Sequence, residues 1–186
     1  MYAGCVIALP RCEDILGPVY REVSGHGQKK WMGQYFTPQP MARMMAKMMR
    51  GGVVLPRSGD KLMTVLEPCS GSGVMLLAMC QEIIESEGAQ ALVGYSFTAI
   101  DLDSYCARMT AAQLLANCFI HNLTLGELLV YQGNSLFADS DMTVIVHGTA
   151  PTVKSWQVKP PHHPARVEAI RQSVASSDAV QLDMWS

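Results

Sequence analysis

The sequence has few charged residues and no long apolar run. Only 16% of its 186 residues are charged, whereas 49% are hydrophobic, which suits one buried core and leaves little room for a second folded domain. No apolar stretch approaches the roughly 18 to 20 residues that a membrane-spanning helix needs. The N-terminus also lacks the charged segment and apolar stretch of a secretory signal. We therefore expect a single domain in the cytoplasm, without a membrane association.

Closely spaced cysteine pairs are missing as well. The six cysteines are scattered without a C-x-x-C pair, and most of them lie inside apolar segments. This pattern favours buried free thiols over zinc ligands or a disulfide framework. The adjacent His162 and His163 lie in a proline-rich stretch and are interpreted as incidental, so we predict no metal site. The cysteines are Cys5, Cys12, Cys69, Cys80, Cys106 and Cys118.

Positive charge is concentrated in the first third of the chain. Residues 1 to 61 contain nine Lys and Arg against four Asp and Glu, a balance of +5. Residues 62 to 186 contain five against twelve, a balance of -7. The basic segment could face nucleic acid or a partner, although exposed Lys and Arg more often simply contact solvent.

Two helices are predicted ahead of the first strand. Residues 12 to 23 are typical of a helix that is interrupted near Gly17-Pro18. A second helix begins with Thr37 as its N-cap and Pro38 in its first position, and it ends at Gly51-Gly52.

The second helix has a stripe of methionines at helical spacing. This spacing predicts that the stripe packs on the core, although an adaptable docking surface is the alternative. Arg43, Lys47 and Arg50 lie off the stripe and are expected to face water. The stripe consists of Met41, Met44, Met45 and Met48.

From Leu62 onward, short apolar runs alternate with helical stretches. The predicted strands are 62–66, 96–100, 128–132 and 142–146, and the predicted helices are 74–86 and 103–117. This alternation predicts an α/β fold with a mostly parallel sheet and helices on both faces. In such sheets ligands bind beyond the carboxyl ends of the strands, so the residues directly after each strand are candidates for a binding site.

A glycine-containing loop, residues 67 to 73, follows the first strand and leads directly into a helix. Gly71 and Gly73 would let the backbone approach a ligand, and the helix N-terminus offers free N–H groups to an anion. Leu76 stands where a nicotinamide-binding fingerprint requires a third glycine, and no Gly-Lys-Ser/Thr follows as in a phosphate-binding P-loop. A plain strand-to-helix turn is the alternative.

Polar residues also follow the second and third strands. Asp101 could accept hydrogen bonds from both hydroxyls of a ribose, while Asp103 is more simply the N-cap of the next helix. The side chain of Asn134 could bond the edge of a base, with a plain turn at 133–135 as the alternative. A single nucleoside-like ligand explains these three loops better than three coincidences do.

Residues 12 to 137 resemble the adenine-N6 DNA methyltransferases, particularly the modification subunits of type I restriction-modification systems. The segment Asp14-Ile15-Leu16-Gly17 with Tyr20 is similar to that family's lead-in helix, and residues 33 to 38 reproduce its G-Q-Y-F-T-P motif. Residues 67 to 73 (EPCSGSG) are similar to its (D/E)-P-x-x-G-(S/T)-G motif. The resemblance implies a Rossmann-like methyltransferase fold, incomplete at the C-terminus, that binds S-adenosylmethionine.

The resemblance also implies a role for individual residues. Glu67 would hold the ammonium group of the cofactor, Asp101 its ribose, and Asn134, where the family more often has Asp, its adenine. An aromatic ring beside the sulfonium is a favourable partner, worth about 0.5 to 2 kcal/mol. The implied cofactor-binding residues are Tyr35, Phe36, Thr37, Glu67, Cys69, Gly71, Gly73, Asp101, Leu102, Asn134 and Ser135.

The chain departs from the family after the fourth strand. Transfer to adenine N6 requires a base rotated out of the duplex, and in the family an (N/D)-P-P-(Y/F) motif after that strand holds it. Here residues 147 to 151 read His-Gly-Thr-Ala-Pro. A weaker catalytic candidate follows at Lys159-Pro160-Pro161-His162, where Lys is a donor-only cation in place of the acceptor.

These observations lead to two hypotheses of function. The first is an adenine-N6 DNA methyltransferase homologue of the restriction-modification type, which reaches DNA through a partner specificity subunit, in a homo- or hetero-oligomer. The second is a non-catalytic S-adenosylmethionine-binding protein that modulates restriction or methylation by association. Residues 33 to 38 make a methyltransferase with another substrate a weaker third possibility. The predicted organisation is a helical lead-in (1–32), a cofactor-binding core (33–150) and a divergent tail (151–186).

Overall fold

The computed structural model describes residues 1–23, 35–50, 61–136, 142–154 and 157. Within these ranges, three helices precede the first strand: α1 (Tyr2–Ala8), α2 (Leu16–Val23) and α3 (Gln39–Arg50). They are followed by β1 (Met63–Glu67), α4 (Val74–Glu87), a 3-10 helix (Ala89–Gly94), β2 (Tyr95–Asp101), α5 (Ser104–Ile120), β3 (Glu127–Gln132) and β4 (Thr143–Thr149). Within these ranges no helix is long and apolar enough to cross a membrane.

The four strands form one sheet in the order β1-β2-β3-β4. β1 and β2 pair in parallel, as do β2 and β3. Helix α4 connects the first pair and α5 the second, as parallel neighbours require. The predicted α/β fold with a mostly parallel sheet is therefore confirmed.

Strand β4 runs antiparallel to β3. Its first residue, Thr143, pairs with Gln132, and its last, Thr149, pairs with Glu127 at the start of β3. The carboxylate of Glu127 bonds to the Nε2 atom of His147 at 2.9 Å, which holds β4 in this register. The carboxyl end of β4 therefore lies at the edge opposite to the ends of β1, β2 and β3. Residues 147 to 151 cannot supply a loop to the same edge as the first three strands, which corrects the expectation that each strand end contributes to one site.

The sheet divides the buried apolar side chains into two clusters. The larger lies on one face and joins Phe97, Val130 and their neighbours to side chains of α3, α4 and α5. The smaller lies on the other face and, among the described residues, is built from Ile100, Leu129 and Tyr131 with further side chains of the sheet and Met142. Both crossover helices thus pack on the first face, where they fix the positions of the loops that precede them.

The start of the chain differs from the prediction in two ways. The predicted helix at 12–23 begins only at Leu16, and it is not interrupted at Gly17-Pro18, because proline in a first helical turn removes no helical hydrogen bond. Helix α1 was not predicted. At the start of α3, the carbonyl of Pro38 accepts from the N–H groups of Met41 and Ala42, each at 3.0 Å. Pro38 therefore occupies the N-cap position that was predicted for Thr37.

The methionine stripe of α3 faces solvent, so its predicted burial is wrong. Its members are 40% to 72% exposed. The face that packs on α4 is formed instead by Ala42 and Ala46, both 0% exposed, together with Arg50. Small alanine side chains allow the two helices to approach closely, which a row of methionines would prevent.

Arg50 is also buried, against the prediction that it faces water. Its Nη1 donates to the hydroxyl of Tyr95 at 2.8 Å, and its Nη2 forms an ion pair with Glu87. Arg43 and Lys47 are more exposed and lie 2.8 and 3.9 Å from Glu85. All three basic side chains of α3 thus form ion pairs with acidic residues at the end of α4. This part of the positive charge in residues 1 to 61 therefore needs no nucleic acid partner to explain it.

We expect Arg50→Ala to lower the free energy of unfolding by about 3 kcal/mol, because it removes one partner of the buried ion pair between Arg50 and Glu87. The matched control is Arg43→Ala, which breaks a half-exposed ion pair of similar geometry and should cost less than about 1 kcal/mol. Urea denaturation followed by circular dichroism measures both values. Equal losses in the two variants would contradict the assignment of Arg50 to the core.

All six cysteines are free, and two of them do not fit the predicted burial. Cys12, Cys80 and Cys106 are buried, and Cys118 is partly so, whereas Cys5 and Cys69 are exposed. Cys5 lies on an N-terminal helix that was not predicted, and Cys69 lies in the loop after β1.

Candidate cofactor site

A cavity of about 390 Å³ lies at the carboxyl ends of the three parallel strands. This volume is within the range of small-molecule sites, roughly 300 to 1,000 Å³. Its walls come from residues 35 to 37 before α3 and from the segments that follow β1, β2 and β3. The lining residues are Tyr35, Phe36, Thr37, Pro68, Cys69, Ser70, Gly71, Ser72, Val74, Met75, Asp101, Leu102, Asp103, Cys106, Gly133, Asn134, Ser135 and Leu136.

The two glycines after β1, Gly71 and Gly73, both have a positive φ, but they contact different parts of the structure. Gly71 lines the cavity with φ +54°, and a side chain there would lie 3.3 Å from the ring of Phe36. Gly73 is the N-cap of α4 with φ +88°, and a side chain there would come within 3.1 to 3.2 Å of Thr110 on α5. Gly73 does not line the cavity. The absence of a side chain at Gly73 allows α4 and α5 to approach closely. Of these two glycines, only Gly71 lines the cavity.

Asp101 joins the loops after β1 and β2. Its Oδ2 accepts from the N–H of Gly71 at 2.7 Å, and its Oδ1 accepts from the N–H of Asp103 at 2.9 Å. Burial raises the pKa of this carboxyl above its ordinary value, while the two N–H donors oppose the rise. Each carboxylate oxygen has a second lone pair. The group is thus held in place by the backbone and can still accept from a ligand.

Asp103 caps α5, as predicted, because its Oδ1 accepts from the N–H of Tyr105 at 2.9 Å. It has a second role that the sequence did not indicate: its Oδ2 accepts from the hydroxyl of Tyr20 at 3.3 Å. Burial, followed by the charge of Asp103, raises the pKa of Tyr20 to about 12. The ring of Tyr20 packs against that of Phe36 with 5.4 Å between centroids. Helix α2 therefore supports both the aromatic segment and the wall that follows β2.

Glu67 lies at the end of β1, beside the cavity rather than in its lining. Its Oε1 accepts from the N–H of Cys69 at 3.1 Å. Burial raises the pKa of the Glu67 carboxyl, and the charge of Asp101 raises it further. Two acidic groups with raised pKa values thus border one end of the cavity, where a ligand cation would stabilise their ionised forms.

The loop after β3 is anchored to β2. The N–H of Gly133 donates to the carbonyl of Asp101 at 2.9 Å, and the Oδ1 of Asn134 accepts from the N–H of Leu136 at 3.0 Å. Asn134 therefore makes the turn that was the alternative to a base contact, and it also lines the cavity.

A buried hydrogen-bond network ties the lead-in segment to the loop after β1. Asp14, 9% exposed, accepts from the N–H of Gly17 at 2.9 Å, from the Nε2 of Gln113 at 2.7 Å and from the Oγ of Ser72 at 2.8 Å. The Oε1 of Gln113, on α5, accepts from the N–H groups of Ile15 and Leu16 at 2.9 and 3.0 Å. Because Ser72 lines the cavity, this network fixes the cavity wall to the start of the chain.

A comparison with protein families identifies the family of the chain. The family model described as N-6 DNA Methylase matches residues 11–162, which is most of the chain. The chain belongs to the N-6 DNA methylase family. No curated protein and no solved structure matches the chain significantly.

The family match covers all the strands and every segment that lines the cavity. N-6 DNA methylases are S-adenosylmethionine-dependent methyltransferases. Membership therefore shows that the chain has a methyltransferase fold and belongs to a family of DNA N6-adenine methyltransferases. The match begins at residue 11, just ahead of Asp14, so the residues of the Asp14 network lie within the matched range.

Nine of the eleven residues predicted for the cofactor line the cavity, whereas Glu67 and Gly73 do not. Their role toward a ligand stays a prediction. Gly33 and Gln34 of the predicted motif lie outside the described residues, as do the candidate catalytic residues Lys159, Pro160, Pro161 and His162.

Sequence reasoning missed Asp14, Ser72 and Gln113, as well as the second contact of Asp103. The only available signal was the lead-in segment Asp14-Ile15-Leu16-Gly17. In that segment a side chain at Gly17 would overlap the Asp14 carboxylate, with 2.2 Å between Cβ and Oδ2.

Proposed function

We propose that this chain binds S-adenosylmethionine in the cavity and methylates adenine N6 in DNA, as a restriction-modification type enzyme, only together with a partner protein. The observation that carries the proposal is the convergence of residues 35 to 37 with the loops after β1, β2 and β3 on one cavity. Those are the segments for which the family resemblance implied contact with the cofactor.

The chemistry of the cavity fits this ligand. Carboxylates at Glu67 and Asp101 suit the ammonium group and the ribose hydroxyls, and the rings of Tyr35 and Phe36 suit a sulfonium. The free N–H groups at the start of α4 suit the cofactor's own carboxylate. When bound, the cofactor supplies an electrophilic methyl group. The residues of the chain bind it, orient it and support the wall around it.

The described part of the chain lacks a base-holding element at the cavity. β4 starts beside the cavity, since a side chain at Gly133 would meet Met142 at 3.0 Å, and it ends at the far edge of the sheet. The described residues directly after β4, 150 to 154, are therefore not in a position to hold an adenine. This is why we propose that the partner supplies base binding as well as DNA recognition.

The same observation favours a second candidate function. A chain that binds the cofactor without a base-holding loop can act by association, as a non-catalytic protein that modulates restriction or methylation. In this case S-adenosylmethionine would act as a ligand that stabilises the folded chain, and no methyl group would be transferred.

Isothermal titration of the chain with S-adenosylmethionine tests the binding that both candidates share. We expect saturable binding, and its absence would rule out both. Transfer of tritiated methyl to unmethylated duplex DNA then separates them, with an Asp101→Ala/Asn134→Ala double variant as the control. Label on adenine above that control supports the enzyme, whereas label equal to the control in the presence of the cognate specificity subunit supports the binding role.

We expect the affinity for S-adenosylmethionine to fall as the pH is lowered through the raised pKa values of Glu67 and Asp101. The ordinary values are 4.5 and 3.8, and burial raises both. Binding requires the ionised carboxylates, so protons are released on binding within this window. The ligand-free chain has the opposite dependence: its folded state holds these protons more tightly than the unfolded state, so its stability falls as the pH rises through the window.

Titration calorimetry from neutral pH down to the ordinary pKa values of the two carboxyls, in buffers of different ionisation enthalpy, measures the affinity and the number of protons released. Glu67→Gln removes one of the two titrating groups and should flatten the dependence. An affinity that is constant over this range would contradict the assignment of these carboxylates to the ligand.

A further inference from the structure

Three of the six cysteines come together in the core and do not line the cavity. Cys12, in the connection between α1 and α2, and Cys80, on α4, are each 1% exposed and belong to the larger apolar cluster. Cys118, on α5, packs against the same cluster. The side chains of Cys12 and Cys80 are hydrogen-bonded to each other. Thiols from three separate parts of the chain thus meet at one place, and two of them are in direct contact.

The contact between Cys12 and Cys80 is one from which a disulfide can form. Sulfur atoms in hydrogen-bond contact need to move only a short way to reach the S–S bond length of about 2.0 Å. Contact with Cys12, together with burial, raises the pKa of the Cys80 thiol well above its ordinary value. Burial, followed by the nearby Cys12, raises the pKa of Cys118 to about 11. The closed pair is therefore protonated, and an oxidant must reach one of the thiols before they react.

The connection that carries Cys12 is held to the core by side chains. The N–H of Cys12 donates to the Oδ1 of Asn117 at 2.7 Å, and its carbonyl accepts from the Nε2 of Gln39 at 3.3 Å. Cys12 has φ 61°, a left-handed conformation that is unfavourable for a residue with a Cβ. Release of these two side-chain bonds would relieve this conformation and expose the thiol. Local opening of the connection is therefore the route by which an oxidant reaches Cys12.

We propose that Cys12 and Cys80 form a reversible disulfide that locks the connection between α1 and α2 against α4. When the connection opens, the sulfur of Cys12 attacks hydrogen peroxide, the O–O bond breaks, and a sulfenic acid and one water are formed. When it closes, the sulfur of Cys80 attacks that of Cys12, the S–O bond breaks, and the hydroxyl leaves as water with the proton of Cys80. Two thiols are thereby oxidised to one disulfide, and one peroxide is reduced to two waters.

The lock acts next to the Asp14 network. Cys12 lies two residues before Asp14, whose carboxylate bonds to Ser72 in the cavity wall. A disulfide would keep the connection closed, so this network would open less often in the oxidised chain than in the reduced chain. The disulfide also closes a long loop, from residue 12 to residue 80, and so restricts the unfolded chain. Because neither cysteine lines the cavity, the lock does not rest on the proposed function.

Peptide mapping tests the pairing. The chain carries Cys5→Ser and Cys69→Ser, so that its two exposed thiols do not interfere. It is treated with hydrogen peroxide, alkylated in denaturant and digested with trypsin. We expect peptide 12–21 to be linked to peptide 62–108. The intact mass should fall by that of two hydrogen atoms, and dithiothreitol should restore it.

Two further serine variants identify the partner within peptide 62–108, which also contains Cys106. Cys80→Ser should abolish the link, whereas Cys106→Ser should retain it. Cys106 is a matched control because it is also 1% exposed, but its thiol bonds to Asp103.

The effect of the lock is measured without a ligand. We expect the oxidised chain to have a Tm about 5 to 10 °C above that of the reduced chain, because the disulfide closes a long loop. Amide hydrogen exchange at residues 12 to 17 should slow about tenfold or more on oxidation. Cys106→Ser should show both changes, and Cys12→Ser should show neither.

Three results would overturn the proposal. Peptide 12–21 linked to peptide 109–154 would assign the disulfide to Cys118. Thiols that all stay free after prolonged treatment would show that the connection does not open to an oxidant. A linked chain whose residues 12 to 17 exchange as fast as in the reduced chain would show that the disulfide locks nothing. These results come from a chain that keeps both thiols of the pair, so they hold even if a serine variant at either position fails to fold.

Discussion

Replacing Asp14 with alanine is expected to lower the free energy of unfolding by about 3 to 5 kcal/mol, the largest loss that we expect from a single substitution in this chain. The change leaves three buried donors, on Gly17, Ser72 and Gln113, without their acceptor. Each unpaired buried donor costs about 1 to 3 kcal/mol. The three losses are not fully additive, because all three donors bond to the same carboxylate. Chemical denaturation of the purified variant gives the value.

The same substitution should weaken S-adenosylmethionine binding in the fraction that remains folded, because Ser72 lies in the cavity wall. Asp14→Asn keeps the shape of the side chain and one good acceptor, so we expect a smaller loss of stability. The control is Glu22→Ala, an exposed position on α2, with an expected change below about 0.5 kcal/mol. A loss for Asp14→Ala that is no greater than that of this control would show that the network contributes nothing.

Replacing Asp101 with alanine is expected to weaken S-adenosylmethionine binding about 100-fold, which corresponds to about 2.7 kcal/mol. The carboxylate is the acceptor proposed for the ribose, and it also holds the N–H of Gly71 in the loop after β1. One substitution therefore removes a ligand contact and loosens a wall of the cavity. Titration calorimetry measures the affinity directly.

Asp103→Ala is the matched control, because it removes a neighbouring carboxylate from the same cavity. Its contacts include the cap of α5, the hydroxyl of Tyr20 and the Sγ of Cys106, so the substitution should cost about 1 kcal/mol of stability and little affinity. If both variants lost the same affinity for S-adenosylmethionine, the ribose contact could not be assigned to Asp101 in preference to Asp103. If Asp101→Ala bound as tightly as the wild type, the proposed ribose contact would be wrong.

The strands and crossover helices from β1 to β3 could be predicted from the sequence because their signals are local. Apolar runs of strand length, turn residues at their ends and the aspartate at the start of α5 each act over a few residues. The position of a shared cavity followed from one rule, that the carboxyl ends of parallel strands meet at one edge.

The composition of the run 142–146 does not predict the direction of β4, because it is the same whether the strand pairs in parallel or antiparallel. Direction depends on the connection and on contacts distant in sequence, such as that between Glu127 and His147. The loop from β3 to β4 is short, which favours an antiparallel neighbour, and this signal was available.

The orientation of α3 and the Asp14 network depend on partners far along the chain. Methionine spacing identifies one apolar face, but α3 lies against α4 through Ala42, Ala46 and Arg50, where close approach and a buried ion pair decide the contact. Asp14 is 99 residues from Gln113 in sequence. A sequence pattern within one helix or one loop predicts neither the contact between α3 and α4 nor that between Asp14 and Gln113.

The outward orientation of the α3 methionines determines how the chain responds to oxidants. Thioethers at Met44, Met48 and Met49 are 56% to 72% exposed, whereas Met79 in the core is only 7% exposed. Peroxide therefore reaches the α3 sulfurs before that of Met79, and the sulfoxides that form point into water, where their added polarity costs little. The helix surface thus takes up oxidative damage without opening the core beneath it.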